Sequence, residues 1–532
     1  MLRNSLYKSA GRLFSSTPLR SSQPSVAFSQ FNHHISTSSA NMSTAAGAVQ
    51  QVPLWINGAD VVTSKTFDIE HPSSGKVVSR VCGASEDEVN RAIEGAKAAF
   101  PAWAKTPAAT RRDILFKVAE LLDAKKDQLG AAYSHDTNVA PLIVKSDQGF
   151  ALTHLKSGAT IATEVRGEIP QTTDGSLALV TREPYGVVYS VCPFNMGLTL
   201  CVRTFCYALA CGNTVVIKAS PAIPFLHYSL GPLLKEAGVP DGVVQILQYA
   251  PGSEAELTEQ VIAHPHIRMA NFTGSTKVGS IIGSLCGKYI KPCLLELGGK
   301  APIVVLESAD LEMAANNIIF GALLHSGQIC MSSERVIVVE SVANKLVEEI
   351  QKIAKNELPA LGHMELASKL GVEKMDRLVN DALSKGATRL SVDSVENKKV
   401  QEGAQAYLPV ILDHVKPDQD IYYQETFGPA FVIIRAKDTD DAVRIANDNE
   451  AGLSASVWTR DYKEALDVAK SIESGAVHIN GSSVHDEPNL PHGGMKTSGF
   501  GRFNGMAAIQ AFTQTKAITM HEPHALPIAY IK

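Results

Sequence analysis

No CxxC pair occurs among the eight cysteines of this 532-residue chain, and no His/Cys cluster has zinc-ligand spacing. Neither a disulfide framework nor a bound metal is therefore expected, and the pattern suits a reducing compartment. A basic excess is missing as well. The net charge is -5 and Lys and Arg are scattered, so no broad positive field exists to hold phosphate backbones, and nucleic acid is not expected as a partner. No run approaches the roughly eighteen uncharged apolar residues of a membrane span. The nearest, around 205–217, is interrupted by Gly212-Asn213 and ends in Lys218, so a membrane is not expected either. Acidic residues are absent before Asp60, whereas Arg3, Lys8, Arg12, Arg20 and many serines occupy that stretch. That composition predicts a mitochondrial transit peptide or disordered leader over residues 1–50 and a matrix location, with a cytoplasmic form starting at Met42 as the alternative.

The rest is ordinary globular material, 45% hydrophobic and 19% charged over the whole chain, long enough for two or three domains. Ser85-Glu-Asp-Glu88 is a capping box, and Val89, Ala92, Ile93, Ala96 and Phe100 follow at helical spacing, which predicts an amphipathic helix closed by Pro101. A second helix is expected from about Arg111. Beyond residue 185 the pattern changes to short apolar runs, Gly186–Cys192, Asn213–Lys218, Val243–Leu247 and Ala270–Phe272, separated by helical stretches. Such alternation predicts parallel βαβ units and an α/β doubly wound sheet with a binding crevice at the strand carboxyl ends. Residues 164–184 lack helical period and read as an extended excursion.

Several residues carry possible chemistry. Phe272-Thr-Gly-Ser-Thr-Lys-Val-Gly279 follows a strand and opens a helix, where backbone amides could meet a pyrophosphate; with neither GxGxxG nor GK[ST], it also reads as a plain turn. Lys218 ends a strand, within reach of ribose or phosphate, or of solvent. Glu296 lies in the apolar run Leu294-Leu-Glu-Leu297 before a Gly-Gly turn, surroundings that suit a general base, with Lys300 as the ordinary ion-pair partner otherwise. Asn195 follows a strand and a proline, where its amide could donate to an oxyanion or merely shape a turn. Cys330, in SGQICMSSER, is either a nucleophile or one more buried thiol.

Together these segments resemble the aldehyde dehydrogenase superfamily from about Val52 to His521: CPFN at 192–195, GNTVVIKAS at 212–220, FTGS at 272–275, LELGGK at 295–300, GQICMSSER at 327–335, ETFGP at 425–429 and PHGGMKTSGFGR at 491–502. The resemblance implies a Rossmann-like NAD(P)-binding domain over 52–163 and 185–297, an α/β catalytic domain over 298–511, and a small β oligomerisation extension over 164–184 and 512–527 that pairs subunits as a homodimer or homotetramer. It also implies NAD-dependent oxidation of a small-molecule aldehyde to the acid through a thiohemiacetal and a thioester. Cys330 would be the nucleophile, Glu296 the base and Asn195 the oxyanion donor. Lys218, Ser220, Gly274, Ser275, Gly279, Leu297, Glu425 and Phe427 would bind the cofactor. Met196, Leu200, Arg203, Ile329, Met331 and His492 would line the substrate pocket.

Departures from the family pattern shape the finer expectations. Pro221 stands where NAD-preferring members usually place a glutamate, which opens the site to NADP. Gly197 replaces a proline and predicts a looser turn around Asn195. His492 replaces the aromatic of PFGG near the tunnel end, and Arg203 is expected near the tunnel mouth or, more simply, on the surface. Residues 485–505 look most like the salicylaldehyde, benzaldehyde and vanillin dehydrogenases, so an aromatic aldehyde is expected, with a medium-chain aliphatic one next. A CoA-acylating semialdehyde dehydrogenase and a non-catalytic scaffold are the readings from other classes.

Overall fold

A computed structural model of the chain describes residues 49–361, 364–390 and 405–526. The expected leader lies outside them except for its last two residues, and a strand already begins at Gln50. All described residues belong to the unit Gly47–Lys532.

Strands buried on both faces of a parallel sheet need continuous apolar runs rather than alternation. Val187–Val191, Thr214–Lys218, Val244–Leu247 and Ile267–Thr273 are such runs, and all become strands of one eight-stranded sheet. Its order from edge to edge is Gly499–Phe500, Cys293–Glu296, Ile267–Thr273, Val187–Val191, Thr214–Lys218, Val244–Leu247, Leu54–Ile56, Ala59–Val61. Every pair from Cys293–Glu296 to Val244–Leu247 is parallel. Chain order reverses between Val187–Val191 and Ile267–Thr273, which makes the carboxyl ends of these two strands the switch point where a crevice opens. A second, seven-stranded sheet runs Thr388–Arg389, Val410–Asp413, Ala430–Ala436, Ser333–Val339, Ala301–Val305, Ser454–Trp458, Ala476–Ile479 and is parallel apart from its first strand. Each sheet has its own hydrophobic core under flanking helices.

The segment expected to be extended forms the strand Leu177–Pro184, which pairs antiparallel with Thr513–Met520 as a two-stranded ribbon. One local expectation fails. The helix opened by the Ser85 box, where the Ser85 N–H donates to Glu88 Oε2 at 2.9 Å, does not close at Pro101 but continues to Lys105. Proline removes one helical hydrogen bond, but Trp103, 1% exposed, anchors the final turn in the core.

Candidate active site

The parallel strands deliver the candidate residues to one end of the first sheet. Val187–Val191 leads through Cys192-Pro-Phe-Asn195 into the helix Gly197–Ala210; Thr214–Lys218 ends in Lys218; Ile267–Thr273 leads to Gly274-Ser275; and Cys293–Glu296 ends in Glu296. Asn195 is buried, and its Nδ2 donates to the Gln328 carbonyl at 2.9 Å, tying this turn to the loop that carries Cys330. The looseness expected at Gly197 is not found. Its N–H donates to Tyr133 Oη at 3.2 Å, its carbonyl accepts from His227 Nε2 at 3.0 Å, and a Cβ here would sit 2.2 Å from Ile223 Cδ1. Glycine is required by close packing. Asp147, unassigned in the sequence, caps the same helix: its carboxylate accepts from Leu198 N at 2.9 Å and Thr199 N at 2.8 Å. Complete burial pushes its carboxyl up to about 6.

Glu296 is 1% exposed, yet its surroundings are polar rather than the apolar pocket expected. Oε2 accepts from Arg203 Nη2 and, at 3.4 Å, from Thr273 Oγ1. Oε1 faces Cys330 Sγ at 3.4 Å and His492 Nε2 at 3.2 Å. The surface position of Arg203 is thereby corrected. Arg203 is 1% exposed, stacks over Phe503 at 4.6 Å and also meets Asp486 Oδ2 at 3.4 Å. The cause is charge: a buried carboxylate needs a counter-charge within reach, and a guanidinium supplies two donors at once. His492 likewise turns onto Glu296, and burial pushes its imidazole down to about 4. Lys300, the ordinary partner proposed for Glu296, instead donates to Glu334 Oε2 at 2.6 Å.

Cys330 is presented just before the strand Ser333–Val339 by a turn in which His325 (φ 52°), Ser326 (φ 58°) and Gly327 (φ 72°) are all left-handed. Two consecutive non-glycine residues in that region signal backbone strain of the kind held at functional sites. The thiol is half-buried, and burial pushes it up to about 12 while the Arg203 charge pulls the other way. Ile329 is buried and Met331 half-buried beside it; Met196 and Leu200 lie at the start of the Gly197–Ala210 helix and its first turn.

The expected cofactor residues surround the same strand ends. Ser275 caps the helix Thr276–Lys288, accepting from Val278 N at 3.4 Å, and the helix has no acidic residue in its first turn to oppose a phosphate. Gly274 N donates to the Glu296 carbonyl at 3.1 Å, and Gly279 packs on Leu297, whose Cδ2 would lie 2.3 Å from any Cβ. Ser220 Oγ accepts from Ala222 N at 3.3 Å, and the Lys218 ammonium sits 6.0 Å from the Tyr249 ring centre. From the second sheet, Glu425 Oε1 accepts from Gly299 N at 3.1 Å, its carboxyl pushed up to about 7 by burial and by Glu334. Phe427 meets Phe194 edge-on at 6.2 Å. Glu334, another residue the sequence left unassigned, fixes this loop by accepting from Thr426 N at 2.7 Å and Phe427 N at 3.2 Å. A cavity of about 850 Å³ touches Thr276, Gly298, Gly299, Lys300 and Glu425, and another of about 810 Å³ touches Phe194, Pro221, His325 and Gln328. A helix N-terminus without acidic residues in its first turn, a strand-end lysine and a carboxylate that can reach a hydroxyl fit a dinucleotide.

Residues 58–518 match the aldehyde dehydrogenase family. The chain is 40% identical over 489 residues to the vanillin dehydrogenase of Pseudomonas sp. (strain HR199 / DSM 7063), with 90% of this chain and 99% of that protein covered. Two solved structures are similar along nearly their whole lengths. A salicylaldehyde dehydrogenase from Pseudomonas putida G7 complexed with salicylaldehyde gives a TM-score of 0.85 at 36% identity, covering 90% of this chain and 99% of that one. An NAD-dependent aldehyde dehydrogenase from Sinorhizobium meliloti gives 0.84 at 30% identity, covering 90% and 96%. This kinship corrects the mitochondrial expectation. The vanillin, salicylaldehyde and benzaldehyde dehydrogenases this chain resembles include proteins of Pseudomonas, Corynebacterium glutamicum and Bacillus subtilis, which are bacteria, and the basic residues that suggested an address fall outside the described part. By family match, identity and fold, the chain belongs to the aldehyde dehydrogenase family and is an aldehyde-oxidising enzyme.

Proposed function

We infer that the enzyme oxidises an aromatic aldehyde to its carboxylic acid with NAD or NADP, using Cys330 as nucleophile and Glu296 as base. The observation that carries this reading is the 3.4 Å approach of Cys330 Sγ to Glu296 Oε1 beside the switch-point crevice. With its thiol pushed up to about 12, Cys330 needs a base at neutral pH, and Oε1 is placed to take the proton as sulfur attacks the aldehyde carbon. The resulting oxyanion would be held by the Cys330 N–H and by the Asn195 amide hydrogen not engaged with Gln328, donors commonly contributing about 3 kcal/mol each. Lys218, Ser275 and Glu425 would hold a nicotinamide dinucleotide in the cleft, and when bound it would supply the hydride acceptor for the oxidation. Once Cys330 is acylated its S–H no longer faces Oε1, and Glu296, after releasing the first proton to water, can take a proton from a second water as that water attacks the thioester carbon. The C–S bond then breaks and the acid leaves.

Aromatic substrates are favoured because relatives matched over 86–90% of the chain at 34–40% identity include vanillin, salicylaldehyde and benzaldehyde dehydrogenases. Ile329 and Met331 flank the thiol in the chain, and Met196 and Leu200, at the start of the helix that follows Asn195, are assigned with them to the apolar side of the pocket; Arg203 and His492, committed to Glu296, are not assigned to substrate. Pro221 is exposed beside the about 810 Å³ cavity and offers no side-chain acceptor to a ribose 2′-hydroxyl and no charge against a 2′-phosphate, which supports use of either cofactor. The Leu177–Pro184 and Thr513–Met520 ribbon, exposed along most of its second strand, is the surface assigned to subunit pairing as a dimer or tetramer. The CoA-acylating alternative is disfavoured because Glu296 faces the thiol and is placed to activate water.

The test follows reduced cofactor at 340 nm or so with vanillin, salicylaldehyde, benzaldehyde and hexanal, each with NAD and NADP, with and without CoA, and with Cys330→Ala as control. Aromatic aldehydes should give the higher kcat/KM and free acid as product. Turnover of hexanal far above all three aromatics, or a CoA thioester as main product, would overturn the assignment.

A further inference from the structure

The polar cluster behind Glu296 is more elaborate than aldehyde oxidation by a cysteine and a base requires. An ionised carboxylate offers about four acceptor directions. On Glu296 one faces the Cys330 thiol, one Arg203, one Thr273 and one His492. The two strong donors converge on a single anchor: Asp486 Oδ2 lies 3.4 Å from Arg203 Nη1 and Oδ1 lies 3.5 Å from His492 Nδ1. Asp486 is itself fixed by Asn504 Nδ2 at 2.9 Å and approached by His154 Nε2 at 3.5 Å, and His154 Nδ1 in turn lies 3.1 Å from Tyr207 Oη. The backbone of His492 is locked by reciprocal bonds with Phe503, N to O at 3.1 Å and O to N at 2.8 Å, and Phe503 is the ring that supports Arg203. The imidazole is 6% exposed and cannot swing into solvent.

A neutral imidazole has one N–H to give. Asp486 already receives Asn504 and Arg203, whereas Glu296 Oε1 has no donor besides the thiol. The closer contact, 3.2 Å against 3.5 Å, also points to Glu296. Glutamate has three rotatable side-chain bonds, and a base that must serve one reacting centre over two chemical steps gains from being held.

Resting on the reading of Glu296 as the base, we propose that His492 is a positioning residue whose Nε2–H holds Glu296 Oε1 against the Cys330 thiol, with Asp486 setting the positions of both His492 and Arg203 from behind. An aromatic side chain at this position could fill the space but could not make this bond.

The test uses stopped-flow and steady-state assays of the full-length enzyme with benzaldehyde and NAD. His492→Phe keeps a planar ring and removes the donor. Its kcat should fall by about 10-fold or more, the scale of one hydrogen bond to a charged group, while KM for aldehyde and for NAD stays within about 2-fold. A burst of reduced cofactor should appear or grow as the acyl-enzyme accumulates ahead of slowed hydrolysis. His492→Gln, whose amide can donate over a similar reach, should recover kcat to within about 3-fold of the parent. Equal impairment of the Phe and Gln variants would reduce His492 to a packing role and overturn the proposal, as would a His492→Phe enzyme whose kcat is unchanged. Glu296→Gln separates the two layers: unchanged turnover there removes the base assignment itself, whereas a dead Glu296→Gln beside an unaffected His492→Phe removes only the positioning role. Should His492→Phe not fold, His492→Asn, too short to reach Oε1, replaces it with the same expected and overturning results.

Discussion

Replacing Arg203 by methionine is the sharpest test of the charge arrangement around Glu296. Methionine preserves most of the stem that lies over Phe503, so the loss is largely that of the guanidinium. Arg203 and Glu296 are each 1% exposed, and removing one partner of a buried ion pair typically costs about 3–5 kcal/mol because the other charge stays buried without compensation. The second contact, to Asp486 at 3.4 Å, adds less, since that carboxylate keeps 17% of its surface in solvent and retains Asn504. The cation–π contact with Phe503 is worth about 1–2 kcal/mol in a desolvated setting. These terms share one side chain and do not add. A net loss of about 3–5 kcal/mol is therefore expected, a large part of the 5–15 kcal/mol that stabilises a typical domain.

The assay is urea denaturation followed by intrinsic fluorescence, in a double-mutant cycle with Glu296→Gln. If the cost comes from an orphaned carboxylate, neutralising that carboxylate should recover part of it. The combined variant should be more stable than the sum of the single losses allows by about 2 kcal/mol or more. Arg203→Lys is not a rescue on this reasoning, because an ammonium lacks the fork that serves Glu296 and Asp486 together. Arg203→Met within about 1 kcal/mol of the parent, or strictly additive losses, would refute the reasoning and mean that the pair has no net role in stability.

Other consequences follow from the same geometry. With the Cys330 thiol near 12, the thiolate fraction rises about tenfold per pH unit below that value, so inactivation by iodoacetamide in the absence of aldehyde should accelerate steadily from pH 7 to pH 10; a plateau near neutrality would contradict this. Asp147 is held near 6 in the fold against about 3.9 when unfolded, so the native state binds more protons between those values and stability falls as pH rises through that window, by about 3 kcal/mol once pH exceeds 6. Asp147→Asn should remove this component, and urea midpoints at pH 4.5 and 7 should show the parent losing stability relative to the variant; the reverse trend would exclude it. Pro221→Glu should raise the ratio of kcat/KM for NAD to that for NADP by about 10-fold or more, by adding an acceptor for the 2′-hydroxyl and a charge opposed to a 2′-phosphate, and an unchanged ratio would show that cofactor choice is made elsewhere.

What the sequence made legible was what short-range physics writes into it. Strands buried on both faces must be uninterrupted apolar runs, so VVYSV, TVVIK and VQIL could be placed before any coordinates, and their parallel alternation with helices implied the crevice at the strand ends. The Gly-Ser turn at 274–275 and the Gly-Gly turn after Glu296 mark points where backbone must approach closely, which is why those segments stood out. Pro101 misled because the rule that proline ends helices is local, whereas the anchor that carries the helix past it, Trp103 in the core, is tertiary.

The charge arrangement was illegible for the complementary reason. Arg203 and Glu296 are 93 positions apart, and Asp486 lies 283 from Arg203, distances over which no periodicity or spacing survives. One signal was nevertheless present. GLTLCVRTFCYALA is apolar nearly all round, the mark of a helix buried on every face, and Arg203 is its one charged residue. A guanidinium there cannot reach water, so it had to meet a buried carboxylate. Glu296, equally isolated in an apolar strand, raised the same demand from the other side. Two unpaired opposite charges in two segments expected to be fully buried, both next to the strand ends where the crevice opens, constrain each other. Pairing them would have replaced the surface arginine and the apolar glutamate with the buried ion pair in a single step.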